Sequence, residues 1–348
     1  NYGGAAKMFA FLANGLEKLS NDVYVYTYEG NNPSYPLSKG IKYYPSKYIP
    51  KSKFLRRVLS FIGVRKHIKK IQPDVVISFL PNSNVYSVFG TLFTNCATII
   101  TERSDPYSEQ GFLLNIKRLF YRFADGAVFQ TEKAKKYYSK HIQEKSAVIP
   151  NPISKVTQVQ IPYDKKNNEI IHVARFDIKQ KRQDLMVFAF KKVLQKYPDV
   201  KLVFCGDGKD FYKIVNLVMG EGIEDNVIFE GKVDNVLERI NKAKIFVLTS
   251  DYEGIPNALA EAMAVGLPVI STNCSPGGAE LLIENYKNGI IVPAGDVNGI
   301  AEAIIFLLDN PWIAEKYAKE ARKITEKYSP ENIIQKWDKF IEEIIKQN

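Results

Sequence analysis

The chain of 348 residues has little cysteine, no long apolar run, no Asp-x-Asp pair and no nucleic-acid-binding motif. Its three cysteines, Cys96, Cys205 and Cys274, are far apart and lie in apolar or loop contexts, which argues for a reducing compartment and against a metal site. No stretch approaches the roughly 18 apolar residues that cross a bilayer, and no secretory leader is expected. The absence of a recognisable helix-turn-helix, finger or RNA-binding motif argues against a nucleic-acid partner. Carboxylates are also in short supply: 38 Asp and Glu face 48 Lys and Arg, for a net charge of +10. That excess leaves anionic partners open, either a membrane surface or an anionic substrate.

What is present is the composition of a globular protein, 45% hydrophobic and 25% charged, long enough for two domains with a core each. The basic excess is clustered. Between residues 47 and 70, Lys47, Lys51, Lys53, Arg56, Arg57, Arg65, Lys66, Lys69 and Lys70 interleave with Phe54, Leu55, Val58, Leu59, Phe61, Ile62 and Ile68. A basic amphipathic helix over 51–71 suits the surface of an anionic membrane. A core-facing helix with a solvated basic face fits the same residues.

The most informative stretch is 250–269, SDYEGIPNALAEAMAVGLPV. The apolar, β-branched run 243–249 reads as a buried strand. A helix follows, rich over 257–265 in Ala, Leu, Glu and Met. Pro256 is expected at its first helical position, Gly266 in the left-handed slot that ends it, and Pro268 beyond. The N-cap then falls on Ile255, which has no side-chain acceptor. An uncapped helix start is an anion site in waiting, flanked here by Glu253 and Glu261. An ordinary amphipathic helix with two solvated glutamates is the alternative.

Elsewhere, apolar strands alternate with helical stretches. Expected strands fall at 23–28, 41–44, 74–78, 97–101, 126–130 and 148–149, then at 170–174, 202–205, 227–229, 243–249, 269–271 and 290–292, with a helical tail from 297. This rhythm predicts an α/β chain of two Rossmann-like domains with parallel sheets facing a cleft. The expected division is 1–152, with its first strand missing, 153–328, and a terminal helix 329–348 returning to the first domain. Gly3 and Gly4 open the chain's first helix and permit close backbone approach to a ligand. Ligands of parallel sheets bind beyond the strands' carboxyl ends. There the second half offers Arg175, Lys179, Lys181 and Arg182, then Gly206, Asp207 and Gly208, then Gly231, Lys232 and Val233, then Glu253, and last Pro276, Gly277 and Gly278. Guanidinium and ammonium groups beside glycines have the composition of a phosphate site.

With these residues the chain resembles the retaining nucleotide-sugar glycosyltransferases of GT-B fold, family 4, over nearly its whole length. The pattern from Glu253 through Gly254, Ile255 and Pro256 to Glu261 resembles that family's E-x7-E motif, and ARFDIKQKRQDL its Arg…Lys diphosphate clamp. VFCGDGKD, IFEGKVDN, NGIIVPAGD and the opening NYGGA resemble further family segments. The resemblance implies that Arg175 and Lys181 hold a pyrophosphate and stabilise the leaving group, that Glu253 meets the donor sugar, and that Glu261 accepts from the ribose hydroxyls. It implies phosphate contacts from the backbone of Gly254, Ile255, Pro256, Asn257 and Ala258, although Pro256 has no N–H to give. Gly206, Gly208, Gly231, Lys232 and Val233 would line the base side, and Gly3 and Gly4 would approach the diphosphate from the first domain. Where many relatives carry a histidine after the first-domain strand, this chain has Glu102-Arg103, so Arg103 is expected to supply a guanidinium contact instead. Lys7 stands near the position where an acidic residue is usual.

No cofactor and no metal are expected, since the cations would carry the leaving-group charge. The implied reaction moves a sugar from a nucleotide sugar, a UDP-sugar, to a lipid-linked or surface polysaccharide acceptor, in the cytoplasm or peripheral to the inner face of the plasma membrane. A UDP-sugar epimerase of the same architecture is a second reading, and a non-catalytic nucleotide-sugar-binding partner a third.

Overall fold

The structure is a computed structural model that describes residues 4–27, 32–45, 52–108, 111–157 and 160–348. Gly3, Lys47 and Lys51 therefore lie outside the described residues, and Gly4 opens the first helix. The chain divides into two compact units, residues 1–151 with 331–348, and residues 152–330.

The first unit runs α1 (Gly4–Lys18), β1 (Tyr24–Thr27), β2 (Lys42–Pro45), α2 (Lys53–Ile71), β3 (Val75–Phe79), α3 (Pro81–Thr91), β4 (Ala97–Thr101), α4 (Phe112–Leu119), β5 (Gly126–Phe129), α5 (Glu132–Lys136), α6 (Lys140–Glu144) and β6 (Ser146–Val148). The second runs β7 (Glu169–Val173), α7 (Ile178–Lys181), α8 (Gln183–Leu194), β8 (Lys201–Cys205), α9 (Phe211–Gly220), β9 (Val227–Gly231), α10 (Val236–Lys242), β10 (Ile245–Leu248), α11 (Asn257–Val265), β11 (Val269–Thr272), α12 (Gly278–Leu282), β12 (Ile290–Val292), α13 (Val297–Asp309), α14 (Pro311–Ala321) and α15 (Ile324–Lys327). Helix α16 (Pro330–Gln347) closes the chain.

Each expected strand forms, within a residue or two of its expected bounds. In the first unit β3, β4, β5 and β6 lie side by side in sequence order, all parallel, and β1 and β2 make a separate parallel pair. The second unit has a six-stranded parallel sheet in the order β12-β11-β10-β7-β8-β9. Strands β4, β5, β10 and β11 are buried along their whole length, as parallel strands covered on both faces must be. Their near-continuous runs of Val, Ile, Ala and Phe are the sequence form of that burial. Helix α4 runs on into a turn of 3-10 helix at Phe120–Phe123. Pro81 opens α3 after Leu80 turns with φ 78°. Helix α6 was not anticipated; its five residues carry only one buried apolar side chain, Ile142.

The second core is built on Ile170, Phe190, Leu202, Ile245 and Ile270, with Phe204 stacked on Phe229 and Phe176 beside both. Each such side chain contributes about 1.5–3 kcal/mol on burial. Helix α16 buries Ile333, Trp337, Phe340, Ile341 and Ile344 within the first unit, a 3–4 residue spacing that gives one apolar stripe. Ile334 lies against Gly15, where an added Cβ would stand 2.5 Å from its Cδ1, and Phe340 and Ile344 pack closely against Gly126. No described helix is long and apolar enough to cross a membrane.

Candidate functional site

The strand order of the second unit reverses between β7 and β10: β8 and β9 continue on one side, β11 and β12 on the other. At such a point the connections leave on opposite faces and open a crevice at the strands' carboxyl ends. Arg175 and Lys181 follow β7, and Glu253 follows β10. The two strands that flank the reversal thus deliver the three residues.

Lys181 Nζ and Glu253 Oε1 form an ion pair, both side chains more than four-fifths buried. Ser250 Oγ donates to the same Oε1 at 2.9 Å. Both contacts engage the same carboxylate oxygen. The Glu253 backbone is pinned as well, its N–H on the carbonyl of Ser275 at 2.7 Å. The segment is held from above by Gly278 at the start of α12, where an added Cβ would stand 1.7 Å from the Gly254 carbonyl oxygen. Only glycine allows that approach.

Lys181 is aimed by its backbone. It ends α7, and Arg182 turns left-handed, φ 51° and ψ 44°, before α8 begins. The Thr249 hydroxyl, fully buried, donates to the carbonyls of Lys181 at 2.8 Å and Arg182 at 3.0 Å. With its proton so used, Thr249 Oγ1 accepts from His172 Nε2 at 3.3 Å. Burial, then the nearby charge of Lys181, push the His172 imidazolium down to about 3, so the ring is neutral at ordinary pH. Gln180 adds a tie to the Tyr252 carbonyl at 3.1 Å, and Asp251 N–H one to the Gln180 carbonyl at 2.9 Å. Sequence reading missed Thr249, Ser250, His172 and Gln180. The hydroxyl pair Thr249-Ser250 at a strand end directly before the acidic loop was the available signal.

Arg175 is exposed, with only long contacts to Asp177 at 3.4 Å and Gln180 at 3.5 Å. Arg182, by contrast, is taken up by Asp184 and Asp251, each at 3.1 Å. Gly206 and Gly208 abut the loop after β7: an added Cβ would stand 2.0 Å from the Ala174 carbonyl oxygen at the first and 2.3 Å from that of Phe176 at the second. These glycines let the backbone carrying Arg175 lie against the β8 loop. Gly231 turns at φ 65° into open space, followed by half-buried Val233 and exposed Lys232, which pairs with Asp207 at 3.2 Å.

Helix α11 begins at Asn257, one residue later than expected. Pro256 has ψ 104°, so it is the N-cap rather than the first helical residue, and Ile255 is buried before it. The physical outcome is the one expected: no side chain caps the helix. Asn257 is exposed and Ala258 half-buried beside its first free N–H groups, and half-buried Glu261 lies one turn further in. Gly266 closes the helix in the left-handed conformation, φ 85°.

Arg103, expected to supply a guanidinium contact, lies within the first unit. Its guanidinium turns into the first unit, over the rings of Phe79 at 5.6 Å and Trp337 at 5.7 Å, and Nη1 donates to the Ile149 carbonyl and to Asn151. Nε and Nη2 are shut off from solvent, and burial pushes the group down to about 9, still protonated at neutral pH. The aromatic pair formed by β3 and α16 draws it inward. Its neighbour Glu102 is also buried, accepting from Tyr121 at 3.3 Å and Tyr138 at 3.1 Å, with Arg118 at 3.8 Å. Burial and the Glu102 charge push both tyrosines well above the usual phenol range.

Among the described residues no group of three His, Cys, Asp or Glu side chains could hold a metal ion. Burial pushes the thiols of Cys96, Cys205 and Cys274 up to about 12, far from the reactive thiolate.

Two family models match the chain. One described as "Glycosyl transferases group 1" covers residues 155–324, and one described as "Glycosyltransferase Family 4" covers 2–155. The Campylobacter jejuni GalNAc-alpha-(1->4)-GalNAc-alpha-(1->3)-diNAcBac-PP-undecaprenol alpha-1,4-N-acetyl-D-galactosaminyltransferase is 24% identical over 352 residues, which is 99% of this chain and 96% of its own. Among solved structures, the lipopolysaccharide outer core galactosyltransferase WaaB in its apo form matches with a TM-score of 0.80 at 21% identity, over 98% of this chain and 96% of that one. Anabaena HepE in complex with UDP matches with a TM-score of 0.79 at 16% identity, over 99% and 97%.

Proposed function

Since the chain belongs to the group 1 glycosyl transferases, with the GT-B fold, we propose that it moves a sugar from a UDP-sugar to a lipid-linked or surface glycan, with retention of anomeric configuration. The observation that carries the donor assignment is the meeting of Lys181, Glu253 and the uncapped start of α11 beside the reversal of strand order. In this reading the diphosphate lies across the α11 N-terminus, where unpaired N–H groups and the helix dipole favour an anion. Lys181 has further N–H donors beyond the one spent on Glu253, and Arg175 is exposed on the same rim. As the bond from the anomeric carbon to the diphosphate breaks, the electron pair passes to the diphosphate oxygen, and these cations stabilise the charge that develops. The other carboxylate oxygen of Glu253 accepts from a donor-sugar hydroxyl. Glu261 accepts from the ribose, and the segment from Gly231 to Val233 edges the base. Arg103 takes no part in donor contact.

The acceptor assignment draws on the relatives: the Campylobacter enzyme's name specifies an undecaprenol-diphosphate glycan, and WaaB's a lipopolysaccharide. The enzyme then works at the cytoplasmic face of an anionic membrane, the α2 cations toward the headgroups. No metal is needed, because the leaving charge is met by side chains and the helix start.

Release of UDP from a panel of nucleotide sugars with a membrane-lipid extract, followed by NMR of the product's anomeric centre, tests the reading. One donor should turn over, with its anomeric configuration kept and with no loss in EDTA. Inversion, or activity abolished by EDTA and restored by Mg²⁺, would remove retention or metal independence respectively. Tight UDP binding without turnover of any donor would favour a non-catalytic partner.

A further inference from the structure

The first unit carries a face in which charge and apolar exposure point to one partner. Residues 53–71, 81–96 and 111–123, which hold α2, α3 and α4, contain no Asp or Glu. They contain seven Lys and Arg on α2, together with Lys117, Arg118 and Arg122. Two of these cations are used internally. Arg118 is buried beside Glu102, and Arg65 Nη1 donates to the carbonyls of Phe89, Gly90 and Leu92 at the end of α3. Arg57, Lys66, Lys69, Lys70 and Arg122 remain exposed.

The apolar residues of α2 divide between two faces. Val64 and Ile68 pack inward with Cys96, and Ser60 is buried on the same side. Leu55, Val58, Leu59 and Ile62 point away from that core, Ile62 with half its surface exposed. At 100° per residue these four share one side of the helix with Lys66 and Lys69. An outward apolar row is not what a core-facing helix shows.

A second apolar row stands beside it. Phe112 is 80% exposed, and Leu113, Leu119 and Phe123 are exposed with it. Phe93, just past α3, is 97% exposed and held at φ 60°, an unfavourable region for so bulky a residue. The rows belong to neighbouring helices. Phe89 of α3 packs against Phe120 at 4.9 Å, and α4 approaches α2 closely enough for the Arg57 charge, after burial, to lower Lys117.

We propose that this face inserts into an anionic bilayer, with Phe112, Leu113 and the Leu55–Ile62 row entering the acyl boundary and the surrounding cations meeting the headgroups. The contact is therefore apolar as well as electrostatic, and α2 is only half of it. A second copy of the chain is a poor occupant, since the same face would set cations against cations. Nucleic acid is a poor one too: Phe93, Phe112 and Phe123 could stack on bases, but the aliphatic row Leu55, Val58, Leu59 and Ile62 would gain no apolar cover from them. An anionic lipid surface takes both the charge and the apolar rows. The inference rests on the membrane-borne acceptor for its purpose; the binding test below requires no turnover.

The test is cosedimentation of the full chain with phosphatidylcholine vesicles, with and without phosphatidylglycerol, at low and high salt. Binding should require the anionic lipid and persist in part at high salt. The triple variant Ile62→Ser, Phe112→Ser and Leu113→Ser should bind about tenfold more weakly or worse, since each lost apolar side chain removes buried area from the contact. Its unfolding midpoint and UDP affinity should match the wild type, as all three side chains are exposed. Phe112→Trp should keep binding and shift its emission to the blue on vesicles. Undiminished binding by the triple variant, complete release by salt, an unshifted Trp signal, or a wild type that dimerises and ignores vesicles would each overturn the proposal. Vesicle binding by a protein that fails to bind UDP would support this face and overturn the donor reading instead.

Discussion

Both units place charged residues at the carboxyl ends of parallel strands, and they use them in opposite ways. After β4, Glu102 and Arg103 turn inward and are absorbed by Tyr121, Tyr138, Phe79 and Trp337. After β7 and β10, Arg175, Lys181 and Glu253 stay at the rim, linked by one ion pair and held by backbone contacts. The sheets explain the difference. Strands β3 to β6 of the first unit follow sequence order, whereas the second sheet reverses between β7 and β10. No reversal occurs among those strands, and the side chains after β4 are covered by Tyr121, Tyr138, Phe79 and, from α16, Trp337. With a reversal, the connections part and leave the rim open. A charge at a strand end is thus a site only where the topology keeps cover off it.

Substitutions sharpen that comparison. The largest effect belongs to Lys181→Ala, which should cut kcat/KM by about 10²–10³-fold, as loss of a charge-stabilising donor does. Its unfolding midpoint should fall less than that of Glu102→Ala, because Glu253 keeps the Ser250 hydroxyl as a donor; an unchanged kcat/KM would remove Lys181 from the clamp. In the first unit the balance is reversed. Glu102→Ala leaves Arg118 without its carboxylate and should destabilise the fold by about 3 kcal/mol, while UDP affinity in the folded protein stays the same. A stable Glu102→Ala protein with weakened UDP binding would erase the contrast.

Gly278→Ala should act next. Its Cβ cannot coexist with the Gly254 carbonyl, so the loop carrying Glu253 must shift. UDP affinity should fall about tenfold, whereas Gly231→Ala, strained at φ 65° but facing open space, should cost only about 1–2 kcal/mol of stability. Equal affinity in Gly278→Ala would show that the loop tolerates the move.

The smallest effect is on pH dependence. The folded His172 pKa is about 3, below its ordinary value near 6.5. The unfolded chain therefore binds the proton more readily, so this contribution to stability is complete above about 6.5 and is lost as pH falls toward 3. Urea unfolding at successive pH values should show that loss in the wild type and less of it in His172→Gln. Identical slopes would mean the ring is not held neutral by the fold.

The strand rhythm made most of the fold legible, because parallel strands buried on both faces must be apolar throughout, as 97–101 and 245–248 are. The uncapped α11 was legible for a related reason: neither Ile255 nor Pro256 has an acceptor, so a one-residue error in the start changed nothing physical. Arg103 was not legible, since its direction is set by Trp337, more than two hundred residues away in sequence. The Thr249–His172 link was hidden likewise, in a contact between neighbouring strands that no local spacing reveals. In α2 the apolar content was visible, but which apolar residues face outward depends on where α3 packs.

The central claim is that the rim between β7 and β10 binds a nucleoside diphosphate through Lys181 and the open start of α11. Calorimetric titration of UDP into the wild type and Lys181→Ala tests it most directly. Saturable binding by the wild type, weakened about tenfold or more in Lys181→Ala, as loss of a charge-assisted hydrogen bond predicts, is the expected result. Equal UDP affinity in the two proteins would contradict it.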